Sequence, residues 1–154
     1  MIKKLFQVLV SVLAGYAGGA LALWAEFGEQ QVLPGFKTNS SYTSLRETKY
    51  IFVQATAAYQ ANMATQANSS TILGVMQNNP DVGEAMTIAV AGLSKVVAGA
   101  AITANDIIMS NASGRAITVT SGKIACGRAL EAAGADSDVV TAMLFHPVRW
   151  GDAA

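Results

Sequence analysis

The sequence holds one cysteine and one histidine in 154 residues. A single thiol, Cys126, excludes an internal disulfide framework. It lies in an apolar run, where cysteine acts as a small buried hydrophobe. With His146 as the only imidazole, a four-ligand Cys/His metal site cannot be assembled. A nucleophile would have one candidate base to activate it, and His146 stands between Phe145 and Pro147 at the end of an apolar stretch, a place for a surface or structural histidine. Charge is scarce too. Charged residues make up 13% of the chain, against about 25% in an ordinary globular domain. Ten basic and ten acidic residues cancel, and no basic run offers a footprint for phosphates, so nucleic acid is not an expected partner.

The acids that exist do not form a catalytic pair. Asp81 with Glu84, and Asp136 with Asp138, sit in glycine-bearing turns, where such side chains serve backbone geometry. A glycosidase sets its two carboxylates on rigid elements facing a cleft. Asp136 and Asp138 are not followed by an EF-hand loop. The one glycine cluster, "GYAGG", lies inside an apolar segment and lacks the phosphate-loop pattern. The sequence therefore offers no catalytic residue, no cofactor site and no metal site, and the expectation is a protein that is not an enzyme.

What the chain has in abundance is apolar and small residues: 52% are hydrophobic. A neutral surface rich in Ala, Gly, Ser and Thr suits a protein covered by partners or touching lipid. The start stands apart. Lys3 and Lys4 precede Leu5–Ala25, 21 residues without a charge, where a helix crossing a bilayer core needs about 20. Trp24 and Phe27 lie at its far end, where interfacial aromatics belong. Gly15 and Gly19 form a close-packing G-x-x-x-G pair. Three readings stand: a signal peptide with Ala20-Leu21-Ala22 as its cleavage site, a retained transmembrane anchor, or an apolar arm packed on protein partners. Under the last, Leu5, Leu9, Leu13, Trp24 and Phe27 are the expected contacts. Under the second, residues 5–25 touch membrane.

Beyond this segment the pattern predicts an all-β fold. Residues 1–27 form the apolar helix, arm or anchor, 28–48 a linker marked by Pro34-Gly35 and "TNSSYTS", 49–148 a β domain, and 149–154 a tail. Expected strands are Tyr50–Thr56, Ile72–Gln77, Ala85–Val90, Leu93–Val97, Ile107–Ser110, Ala116–Thr120, Ile124–Leu130 and Val139–Phe145. Short strands at this spacing, separated by Gly/Asn/Asp turns, read as a small barrel or sandwich. The Ala-rich "TAAYQANMATQA" has helix propensity, but the turn signals around it favour strands. Ile72–Val90 lines up with Ile124–Leu144. "YIFVQATAAYQANMAT" and "DIIMSNASGRAITVT" precede them in the same order, each a strand, a small-residue turn and another strand. Two such halves predict one pseudo-symmetric barrel without a free sheet edge.

An ordered series of residues also carries a family resemblance. It runs through Gly74, Gly83, Gly92, Ile102, Asp106, Ser113-Gly114-Arg115, Gly127, Ala129-Leu130-Glu131 and Val139-Val140. In this series Ile72–Phe145 resembles the small Ala/Gly-rich cement, or decoration, proteins of bacteriophage heads, and the likeness extends weakly back to Tyr50. Asn105 stands where that pattern has glycine, and Met1–Phe27 is not a typical start. The resemblance implies a virion protein on the capsid surface. It would bind the major capsid protein, self-associate as a homotrimer and clamp neighbouring coat subunits. The rival expectation is a membrane-anchored or exported bacterial β-domain that binds a ligand.

Overall fold

Long-range strand pairing organises this chain, and no helix occurs among the described residues. The computed structural model describes residues 30–39, 49–65 and 70–151. Nine strands follow in order: β1 (Gln31–Thr38), β2 (Phe52–Ala57), β3 (Gln60–Met63), β4 (Ile72–Met76), β5 (Ala85–Val97), β6 (Ile107–Ser110), β7 (Ala116–Thr118), β8 (Ile124–Ala129) and β9 (Val139–Arg149). Their lateral order is β1-β3-β2-β4-β5-β9-β8-β6-β7, and β1 also pairs with β5. Strands β1, β3, β2, β4 and β5 therefore close into a five-stranded barrel, the small all-β barrel that the sequence pattern predicts.

The expected repeat is visible in the strand order, but it closes differently. Each repeat forms its own ring instead of half of a shared one. In the second, β5 pairs with β9, then come β8, β6 and β7. A parallel bridge from Ala116 to Ala98, just past β5, completes it. In the first ring the corresponding closure is the parallel pairing of Thr38 with Ala61. Strand β5 thus ends one ring and begins the next. Residues Ala85–Ala91 pair with β1, and Gly92–Val97 pair with β9. The change of partners falls at Gly92, whose φ of +87° is open to glycine and strained for other residues. The same glycine suggested two separate strands in the sequence, whereas the chain runs through it as one.

Backbone detail repeats as well. Tyr50 (φ +67°) and Asn105 (φ +74°) stand just before β2 and β6, and Gly83 (φ +80°) and Ser137 (φ +73°) stand in the turns before β5 and β9. Asn105, the departure from the family pattern, is thus left-handed, and asparagine tolerates that region far better than most residues.

The largest correction concerns residues 28–48. Within this expected linker, Gln31–Thr38 is a strand that pairs with both β3 and β5. Its Pro34-Gly35 step reads as a turn. It is a bulge instead, because the register passes from Leu33↔Ile88 to Phe36↔Met86. That places proline where it removes no ladder bond. The end of β1 is pinned by Thr38, whose hydroxyl donates to the Asp81 carbonyl (2.6 Å) and accepts from Gly83 N–H (2.6 Å). The Ala-rich stretch after β2 is a hairpin, with β3 as its second arm.

Burial supplies the driving force. One cluster of buried residues joins the rings, with Phe52, Val75 and Ala89 from the first and Val96, Ile108, Cys126 and Leu144 from the second. Ile51, Val53, Met76, Met86 and Ile88 form another inside the first ring.

Candidate functional site

The residues that carry the family resemblance build the fold. Asp106 Oδ2 accepts from Thr103 N–H (3.1 Å) and from the Thr118 hydroxyl (2.9 Å), which sets the entry to β6. Asn111 Oδ1 accepts from Ser113 N–H (2.8 Å) and Arg115 N–H (2.9 Å), forming the β6–β7 hairpin. One acid of each expected pair does the turn work assigned to it. Glu84 accepts from Asp81 N–H (2.8 Å), and Asp138 accepts from Gly134 and Ala135 N–H (2.8 and 3.0 Å). Asp136 instead binds Arg115, with both carboxylate oxygens 2.7 Å from one guanidinium nitrogen. That hydrogen bond, helped by the Arg115 charge, holds Asp136 below the usual carboxylate range.

The one cysteine and the one histidine sit in different settings. Cys126 is buried, and desolvation pushes its thiol up to about 12, so the nucleophilic thiolate is suppressed. His146 is exposed, with Nδ1 3.2 Å from its neighbour's carbonyl at Pro147. No cluster of three or more His, Cys, Asp or Glu side chains able to hold a metal occurs among the described residues.

What the molecule does present is an apolar sheet surface. On the outer face of β5 and β9, Leu93 stands directly across from Met143, and they are 43% and 48% exposed. Val139, 51% exposed, pairs with Val97 farther along the same ladder. Leu130 follows β8 and donates its N–H to the Thr141 carbonyl (2.8 Å), which brings another exposed side chain to this face. Alternation along the strands explains it. Val140, Ala142 and Leu144 point inward and are buried, which turns Val139, Thr141 and Met143 outward. At the centre, Lys95 donates to Thr141 Oγ1 (2.8 Å) and lies 3.6 Å from Glu131. Glu131 accepts from Thr141 N–H (2.7 Å). That backbone hydrogen bond is the main cause holding its carboxyl below the ordinary value, with Lys95 assisting.

The expected arm contacts Leu5, Leu9, Leu13, Trp24 and Phe27 lie outside the described residues, as does the membrane-length run 5–25. No helix among the described residues is long and apolar enough to cross a membrane. The sheet face was missed in the sequence because strand alternation does not tell an outward apolar residue from an inward one until the strands are paired.

A family model described as phage cement protein matches residues 46–144, which is 99 of the 154 residues. The chain belongs to the phage cement protein family. Its members are structural proteins of phage, and the cement protein described here is therefore a capsid-associated structural protein. Its fold is similar to the crystal structure of the N base of the head fibre protein gp8.5 of bacteriophage phi29. The TM-score is 0.54 at 16% sequence identity, covering 75% of this chain and 94% of that one. No curated protein sequence matches the chain.

Proposed function

We propose that this cement protein binds the outside of the assembled coat shell and bridges neighbouring copies of the major capsid protein, raising the cost of separating them. The observation that carries the reading is the family match across both rings. Three features support it. The chain has little charge and no net charge. The described residues carry an apolar sheet face. The structural relative belongs to a phage head fibre. Each copy contributes a modest interface, and repetition over the shell makes many such contacts act together. The apolar segment up to Phe27 is the arm, and Leu5, Leu9, Leu13, Trp24 and Phe27 lie against coat protein.

The test is co-sedimentation of the purified full chain with coat shells lacking it, followed by heating. Binding that raises the temperature at which shells come apart is the expected result. Binding with unchanged shell stability would remove the bridging role. Deleting residues 1–27 should weaken attachment while the circular dichroism of the β domain is kept. Unaltered affinity after deletion would end the arm's part in it.

A further inference from the structure

Which surface of the domain meets the shell is a separate question. Nine large hydrophobic side chains stand exposed among the described residues, and four of them, Leu93, Leu130, Val139 and Met143, fall on one side of the β5–β9–β8 sheet. The others are dispersed: Tyr59 and Val82 in turns of the first ring, Val32 on β1, and Val148 and Trp150 at the end of β9. Scattered exposed hydrophobics are ordinary, while several gathered on one face point to contact.

Two observations identify what covers this set. The first is where the chain joins the domain. Gln30 Nε2 donates to the Leu93 carbonyl (3.3 Å), so the first described residue lies beside Leu93, and the apolar run Leu5–Ala25 precedes it in the sequence. A protein held to a shell by that segment brings the adjoining face toward the same shell. The second is charge. Lys95 is offset by Glu131 at 3.6 Å, and Arg128, across from Met143, turns one guanidinium nitrogen to the Asn105 carbonyl (2.8 Å). The face thus has at most one net positive charge, which suits an apolar, uncharged partner surface.

We infer that the outer face of β5–β9–β8, which carries the Leu93–Met143 pair, is the surface that seats on an apolar, uncharged patch of the coat shell. This rests on the shell-binding reading above. Association through it depends little on salt, because screening acts on charges.

Methionine oxidation tests the inference directly on the full chain. With hydroxyl-radical footprinting, Met143 should be oxidised in the free protein and protected on coat shells. Met76, Met86 and Met109, all buried, should be protected in both states. Affinity should change by no more than about threefold between about 0.05 and about 0.5 M NaCl. The double variant Leu93→Thr, Met143→Thr should bind about tenfold more weakly or worse, and Val82→Thr should bind as the parent does. If the double variant fails to fold, Val139→Thr asks the same question at a more exposed position, and normal binding by it would overturn the inference. Oxidation of Met143 on shells to the same extent as in free protein would also overturn it. So would protection in the free protein, because a second copy or the chain's own first residues would then cover the face. If the parent chain does not bind shells at all, the shell-binding reading falls, and that outcome is distinct from binding with Met143 exposed.

Discussion

Gly74 and Gly127 hold the same position in the two repeats. Gly74 is paired with Val53 on β2, and Gly127 with Ile108 on β6. Each also lies close against the next strand. A Cβ on Gly74 would overlap the Ala89 carbonyl oxygen, and one on Gly127 would come 2.8 Å from that of Met143. Both obstacles are backbone and cannot swing aside. Gly74→Ala and Gly127→Ala should each destabilise the domain by about 1–3 kcal/mol, the usual cost of overpacking, and Gly74→Ala should cost more. Urea denaturation of both variants checks the order.

Asn105 gives a conformational test. Its φ of +74° suits asparagine and glycine and strains a β-branched residue. Asn105→Gly should lie within about 0.5 kcal/mol of the parent, since lost strain and added chain entropy oppose each other. Asn105→Val should lose about 1–2 kcal/mol. The backbone carbonyl that receives Arg128 is kept in both variants, so the difference isolates the left-handed geometry. Equal stabilities in thermal denaturation would refute it.

Cys126 supplies a readout of opening. Its thiol is buried and raised to about 12, so iodoacetamide at neutral pH should leave it unmodified in the folded protein. Modification should appear together with unfolding as denaturant is added, because exposure restores an ordinary thiol. Intact mass measurement follows it. Rapid labelling without denaturant would contradict the burial.

The hydrogen bonds from Arg115 to Asp136 and from Thr141 N–H to Glu131 predict a direction with pH. Both carboxyls are held below their ordinary values in the fold. Their contribution is therefore present above the unfolded carboxylate range and lost as pH falls through the lower, folded values. The thermal midpoint should be flat at neutral pH and decline under acid conditions. Asp136→Asn should decline less over that acid range. Both carboxyls are more than half exposed, at 53% and 57%, so the effect is small.

The strands of the repeats were legible because apolar runs bounded by Gly, Asn and Asp turns carry their own signal. The hairpin after β2 was read from the turn signals around it and from comparison of the two halves, since its own turn, Ala58-Tyr59, lacks glycine and asparagine and places Tyr59 at φ +54°. Strand β1 was hidden. Pro34-Gly35 reads as a turn, and only the partner β5 shows that these residues bulge out of a ladder. The single passage of β5 through Gly92 was hidden for the same reason. Register and ring closure join residues distant in sequence, such as Thr38 and Ala61 or Ala98 and Ala116, and no local pattern contains them. The exposed apolar face depends on that register, whereas the scarcity of cysteine, histidine and charge could be read from composition.

The shared strand has a mechanical consequence. Because β5 is continuous through Gly92, no loop separates the rings along it. Force entering at β1 and leaving at β9 passes along one covalent strand and across the ladder from Gly92↔Leu144 to Val97↔Val139. These strands are antiparallel and overlap side by side, so a pull along their length loads the ladder in shear. Its cross-strand bonds then share the load and yield together instead of peeling apart one after another.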